Sequence, residues 1–83
     1  METMGKYEFR GLTDEFRLAE TMVDQSKMDR GEALFLIRHR LERCVEVWDG
    51  KILCGYFLIF EQDGVRQLHG YMVVRGRPRP AFP

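Results

Sequence analysis

Two Asp-Gly pairs, Asp49-Gly50 and Asp63-Gly64, separate runs rich in Val, Ile, Leu, Phe and Tyr, and they constrain this chain more than any other feature. Asp-Gly between apolar runs is a strong hairpin signal, because glycine takes the positive φ that tight turns need. The spacing predicts an antiparallel meander with strands over residues 44–49, 51–62 and 65–74. A two-residue turn at Asp49-Gly50 would pair Val45 with Cys54 and Cys44 with Gly55. The middle run is apolar on both alternating faces. Ile52, Cys54, Tyr56, Leu58 and Phe60 share one face, and Leu53, Phe57 and Ile59 share the other. A strand apolar on both sides sits inside a sheet that is covered twice.

The upstream half supplies the covers. Residues 6–12 alternate polar and apolar, with Tyr7 and Phe9 on one face, and read as a short strand closed by Gly11. Thr13 reads as the N-cap of a first helix whose Phe16, Ala19, Met22 and Val23 recur at helical spacing. Residues 25–27 read as a break. A second helix begins at Asp29, with Glu32 as a capping-box partner. Its apolar stripe is Ala33, Leu34, Ile37 and Leu41, and Arg38, Arg40 and Glu42 face outward. The expected fold is α+β: an antiparallel sheet of three or four strands with two helices. Two helices cover one face of such a sheet, so the second face is expected to be open or to take a partner. Gly55 and Gly70 interrupt the strands. They imply a bulge or close packing, or else a splay that admits a ligand.

With 83 residues the chain is expected to be one domain, 1–83, ending in a basic Pro/Arg tail over 75–83. Lys+Arg and Asp+Glu are 13 each. That balance argues against bulk attraction to nucleic acid or to an anionic membrane. No apolar run is long enough to span a bilayer. Cys44 and Cys54 are placed on opposite sheet faces, so both are expected to be reduced thiols, which implies a cytoplasmic setting. Two cysteines and two histidines without ligand spacing give no metal site. His39, between Arg38 and Arg40, reads as a solvated helix residue.

Exposed aromatic and Met residues on a sheet face mark protein interfaces. Trp48, Leu53, Phe57 and Met72 are the candidates, with Phe82 beside them. Arg75, Arg77 and Arg79 alternate with Gly76, Pro78 and Pro80. They read as a solvated terminus, as a polyproline-like recognition segment that adds to the interface, or as phosphate contacts.

Three stretches carry a resemblance. Tyr7-Glu8-Phe9-Arg10-Gly11-Leu12-Thr13-Asp14-Glu15 resembles the opening strand and first helix of the GNAT N-acetyltransferases. The hairpin from Val45 through Asp49-Gly50 to Tyr56 is similar to that family's glycine-containing hairpin. His69-Gly70-Tyr71-Met72-Val73-Val74-Arg75-Gly76-Arg77 is similar to the strand leading into its acetyl-CoA pyrophosphate loop. The chain thus resembles the N-terminal half of a GNAT domain, nearest in tone to short GNAT-like proteins encoded by tailed phages. The resemblance implies acetyl-CoA as cofactor, held at Val74, Arg75, Gly76 and Arg77, and His69 as general base. A half-buried sheet histidine is the alternative reading of His69. The sequence departs from the family where the loop's glycines fall on Pro78 and Pro80, which have no N–H to donate. The expected function is therefore a non-catalytic protein-interaction module that binds no cofactor, in the form of a phage protein that binds and modulates a host protein. An acetyl-CoA-dependent N-acetyltransferase completed by dimerisation is the alternative. A structural or virion accessory protein is a further one.

Overall fold

The computed structural model describes residues 7–74. The order is β1 (Glu8–Gly11), α1 (Glu15–Ser26), α2 (Arg30–His39), β2 (Leu41–Asp49), β3 (Ile52–Gln62) and β4 (Val65–Met72). The strands form one antiparallel sheet in the order β1-β2-β3-β4. This is the expected α+β fold, with four strands and two helices.

Each helix starts where a side-chain oxygen satisfies its first amides. Asp14, not Thr13, caps α1: its Oδ1 accepts from the amides of Phe16 and Arg17 at 3.0 and 3.2 Å. Its buried stripe is Leu18, Ala19 and Met22. Phe16, expected to point inward, is 57% exposed. Two residues before Leu18, it lies roughly 200° away around the helix axis. The helix runs through the expected break to Ser26 and closes on Lys27 in the left-handed conformation. Asp29 caps α2 by accepting from the Gly31 amide, and Ala33 and Ile37 are its buried residues. Leu41, read as helical, is instead the first residue of β2, opposite Phe60. The Arg40 carbonyl accepts from the Glu61 amide at 3.0 Å, so pairing with β3 takes over where the helix stops.

Both helices pack on one face of the sheet. Leu18, Ala19, Met22, Ala33 and Ile37 meet Leu53, Tyr56, Leu58, Phe60 and Tyr71 in the main core. A smaller cluster of Tyr7, Val47 and Cys54, flanked by Phe9 and Phe57, lies on the opposite face and contains no helix residue.

The two turns differ. Gln62 pairs with Val65, so Asp63-Gly64 forms the second turn as expected, with φ of 53° and 80° at its two residues. In the first hairpin Asp49 pairs with Ile52, so the turn is Gly50-Lys51, one residue further on. Gly50, at φ 64°, takes the first central position. The register then slips once more: Trp48 faces Leu53, whereas Val47 faces Gly55. Cys54 is the extra residue of this bulge. Val45 therefore pairs with Phe57 and Cys44 with Leu58, not with Cys54 and Gly55. The bulge also exchanges two faces. Leu53 turns to the helices and Cys54 to the open side, the reverse of strict alternation. Cys44 packs against the helix-side core, so the two free thiols do lie on opposite faces.

Candidate functional site

The face away from the helices, called the open face here although Val45, Val47 and Cys54 on it are buried, is built from alternate residues of all four strands. β1 contributes Phe9, β2 Val45 and Val47, β3 Phe57 and Ile59, and β4 Leu68 and Met72. Leu68 is 59% exposed, and Val65 at the start of the same strand is 57% exposed. β4 is an outer strand of the described sheet. Its single charged residue, Arg66, pairs with Glu42 at 2.8 Å. Edge strands are commonly protected by charged side chains, Pro or bulges, and between Val65 and Met72 β4 carries only Arg66 of these.

Gly55 and Gly70 also lie on this face and leave a trough between taller neighbours. The cavity has a volume of about 190 Å³ and is lined by Val47, Cys54, Phe57, Leu68 and Met72 above the two glycines. The strands are not splayed here, because pairing is continuous from Gln62–Val65 to Gly55–Met72. Close packing is the reason for one glycine. A Cβ at Gly55 would stand 2.4 Å from the Tyr71 carbonyl oxygen. At Gly70 it would meet only the Phe57 ring, at 3.7 Å. Just beyond β4, the amides of Val73 and Val74 both donate to the Cys54 carbonyl, at 2.8 and 3.2 Å.

The expected interface residues divide between the two faces. Phe57 and Met72 meet at the trough. Leu53, 3% exposed, lies in the core beneath the helices and offers no surface. Trp48 packs against that same core, and its Nε1–H donates to Glu46 Oε1 at 2.9 Å. The bulge removes both from the open face. Arg75, Gly76, Arg77 and Arg79 lie outside the described residues, as does Phe82.

A second cavity, of about 270 Å³, lies on the helix side, between the helices and the far end of β3 and β4. His69 lines it, opposite Leu58 as the hairpin predicts, and its ring stacks near Tyr71 and meets the edge of Phe60 at 5.5 Å. Tyr71 and Ser26 share a hydroxyl–hydroxyl hydrogen bond of 2.8 Å. Among the described residues His69 has ring contacts and no acidic partner.

One polar cluster is buried. Glu46 is 1% exposed, on the helix side of β2. Its carboxylate accepts from the Thr13 amide and hydroxyl, at 2.8 and 2.9 Å, and from Trp48. Nearby, the Tyr56 hydroxyl is buried and has no hydrogen-bond partner among the described residues. Burial and then the Glu46 charge push the Cys44 thiol up to about 12 and the Tyr56 phenol to about 12. A thiol held protonated in this way is a poor nucleophile. Sequence reasoning missed this cluster. The signal was a lone Glu between two valines and beside a Trp, at an inward position once the register is known.

Among the described residues no His, Cys, Asp and Glu group could hold a metal ion, and no helix is long and apolar enough to cross a membrane. Compared with known protein families, curated proteins and solved structures, the chain matches none.

Proposed function

We propose that this protein is a non-catalytic protein-interaction module that binds through its open sheet face. One observation carries the reading: both helices cover the same side, which leaves Phe9, Phe57, Ile59, Leu68 and Met72 on the other. The partner is a protein segment that lays an apolar side chain into the trough over Gly55 and Gly70 and runs beside β4. Main-chain pairing at such an edge gives affinity, and the trough gives selectivity. The resemblance to short phage GNAT-like proteins makes a host protein the partner to look for. The engagement of the Val73 and Val74 amides by Cys54 supports the non-catalytic reading, because a pyrophosphate at this strand end needs amides free to donate.

The test uses Phe57→Asp and Leu68→Asp, each checked for native circular dichroism. Tagged wild type should retain from a host lysate a discrete protein that both variants lose, while light scattering reports the mass of each alone. A wild-type dimer dissociated by both substitutions would identify a second copy as the occupant. Identical behaviour of all three proteins would overturn the reading. Calorimetry with acetyl-CoA should show no binding at micromolar concentrations. Tight binding would restore the acetyltransferase alternative and His69 with it.

A further inference from the structure

The helix-side cavity has a composition that the open face does not explain. Its floor is apolar: Met22, Met28, Leu36 and Phe60. Its rim carries Arg40, His69 and the Ser26–Tyr71 hydroxyl pair, with Gln62 and Gln67 alongside. Among the described residues no carboxylate lines it. The four carboxylate–arginine pairs of the described residues involve Arg10, Arg30, Arg38 and Arg66, and Arg40 is in none of them. Its guanidinium rests instead 6.0 Å over the Phe35 ring. His69 likewise contacts Phe60 and Tyr71 through its ring, and among the described residues it has no acidic partner.

We infer that this cavity is a binding site for a small carboxylate with an aliphatic body. The Met-rich floor takes the chain, since methionine adapts to irregular apolar shapes. Arg40 takes the carboxylate as a two-pronged donor. His69 donates a ring N–H from the sheet side, and Tyr71 is fixed by Ser26 behind it. A cationic head group would meet Arg40 with no acid to compensate it. A neutral one would leave the guanidinium unused. Pockets of this kind, an apolar wall with a few convergent polar groups, are typical small-ligand sites. The site lies on the face opposite the trough and is independent of the partner proposed there.

The test titrates octanoate, octan-1-ol and octylamine into the full chain labelled at its methionine methyls, with binding followed by NMR. Octanoate should bind saturably and shift the Met22 and Met28 methyls together with the His69 ring protons. Arg40→Gln leaves the backbone contact to Glu61 in place and should weaken octanoate roughly tenfold to hundredfold, the range for a hydrogen bond to a charged group. It should leave octan-1-ol unaffected. Octylamine should bind at least about tenfold more weakly than octanoate. Equal affinities for octanoate and octan-1-ol, an unchanged affinity in Arg40→Gln, or no shift at Met22 and Met28 would each overturn the assignment.

Discussion

At the scale of single residues, Glu46 and its neighbours carry the strongest expectations. The Glu46 carboxylate satisfies Thr13 at the entrance to α1 and Trp48 two residues along β2, so it ties helix to sheet. Glu46→Ala removes the shared acceptor and leaves the Trp48 N–H unpaired within the fold. We expect a loss of about 2–4 kcal/mol in urea unfolding, with Glu46→Gln retaining part of it. Cys44 and Tyr56 predict an alkaline limit. Both pKa values are raised in the folded state, from about 9 and about 10 in the free side chains. The folded protein therefore holds these protons more tightly than the unfolded chain. Stability is full below about pH 9 and falls as pH rises towards 12, because the unfolded chain deprotonates first. Denaturant midpoints measured from pH 8 to 11 should decline, and the double variant Cys44→Ala/Tyr56→Phe should flatten the decline. At pH 7, Tyr56→Phe alone should be neutral or slightly stabilising, because it deletes a buried hydroxyl that has no partner among the described residues.

At the scale of elements, the bulge in β3 decides what the sheet presents. One extra residue at Cys54 sends Leu53 under the helices and leaves Cys54 and Gly55 on the other side. The bulge holds because Gly55 lets β4 approach closely and because the Cys54 carbonyl gathers the Val73 and Val74 amides. Gly55→Ala places a methyl against backbone rather than a movable side chain. We expect a loss of at least about 1–3 kcal/mol and altered β3–β4 amide shifts in an NMR spectrum. Gly70→Ala, whose added methyl meets only the Phe57 ring at ordinary contact distance, should cost far less and serves as the control. The helices are fixed by simpler means. Asp14 and Asp29 cap them, and Gln25 of α1 donates to the Met72 carbonyl at 2.5 Å, which pins the end of α1 to the end of β4.

At the scale of the whole molecule, cohesion comes from one apolar layer between two helices and one sheet face. Surface charge contributes little to it. The four described ion pairs have exposed partners, with side-chain exposures from 34% to 71%. Such pairs are each worth at most about 1 kcal/mol and are screened by salt. The melting temperature should therefore change by no more than a few degrees between low and high sodium chloride. A large fall in salt would mean that ion pairs hold the molecule together. The second face of the sheet is asymmetric by contrast: its apolar residues come from every strand, yet among the described residues no helix lies over them.

Local signals in the chain were enough for the element types, their order and the second hairpin. Asp63-Gly64 admits one tight turn, and the pairing of His69 with Leu58 follows from counting outward. The double apolarity of residues 52–60 likewise required a sheet with two demanding faces. Tertiary structure decided the rest. The first turn sits on Gly50-Lys51 because the pairing of β2 with β3 selects it, and a local Asp-Gly signal does not report that competition. The bulge depends on a carbonyl of β4 lying against Gly55, a contact between residues sixteen positions apart in the chain. Trp48 and Leu53 left the candidate surface for that reason. Glu46 became the centre of a buried cluster only when Thr13 was carried to it across a separation of 33 residues. Alternation along a strand fixes which residues share a face only while the register is regular, and register is a property of the pair of strands rather than of either one.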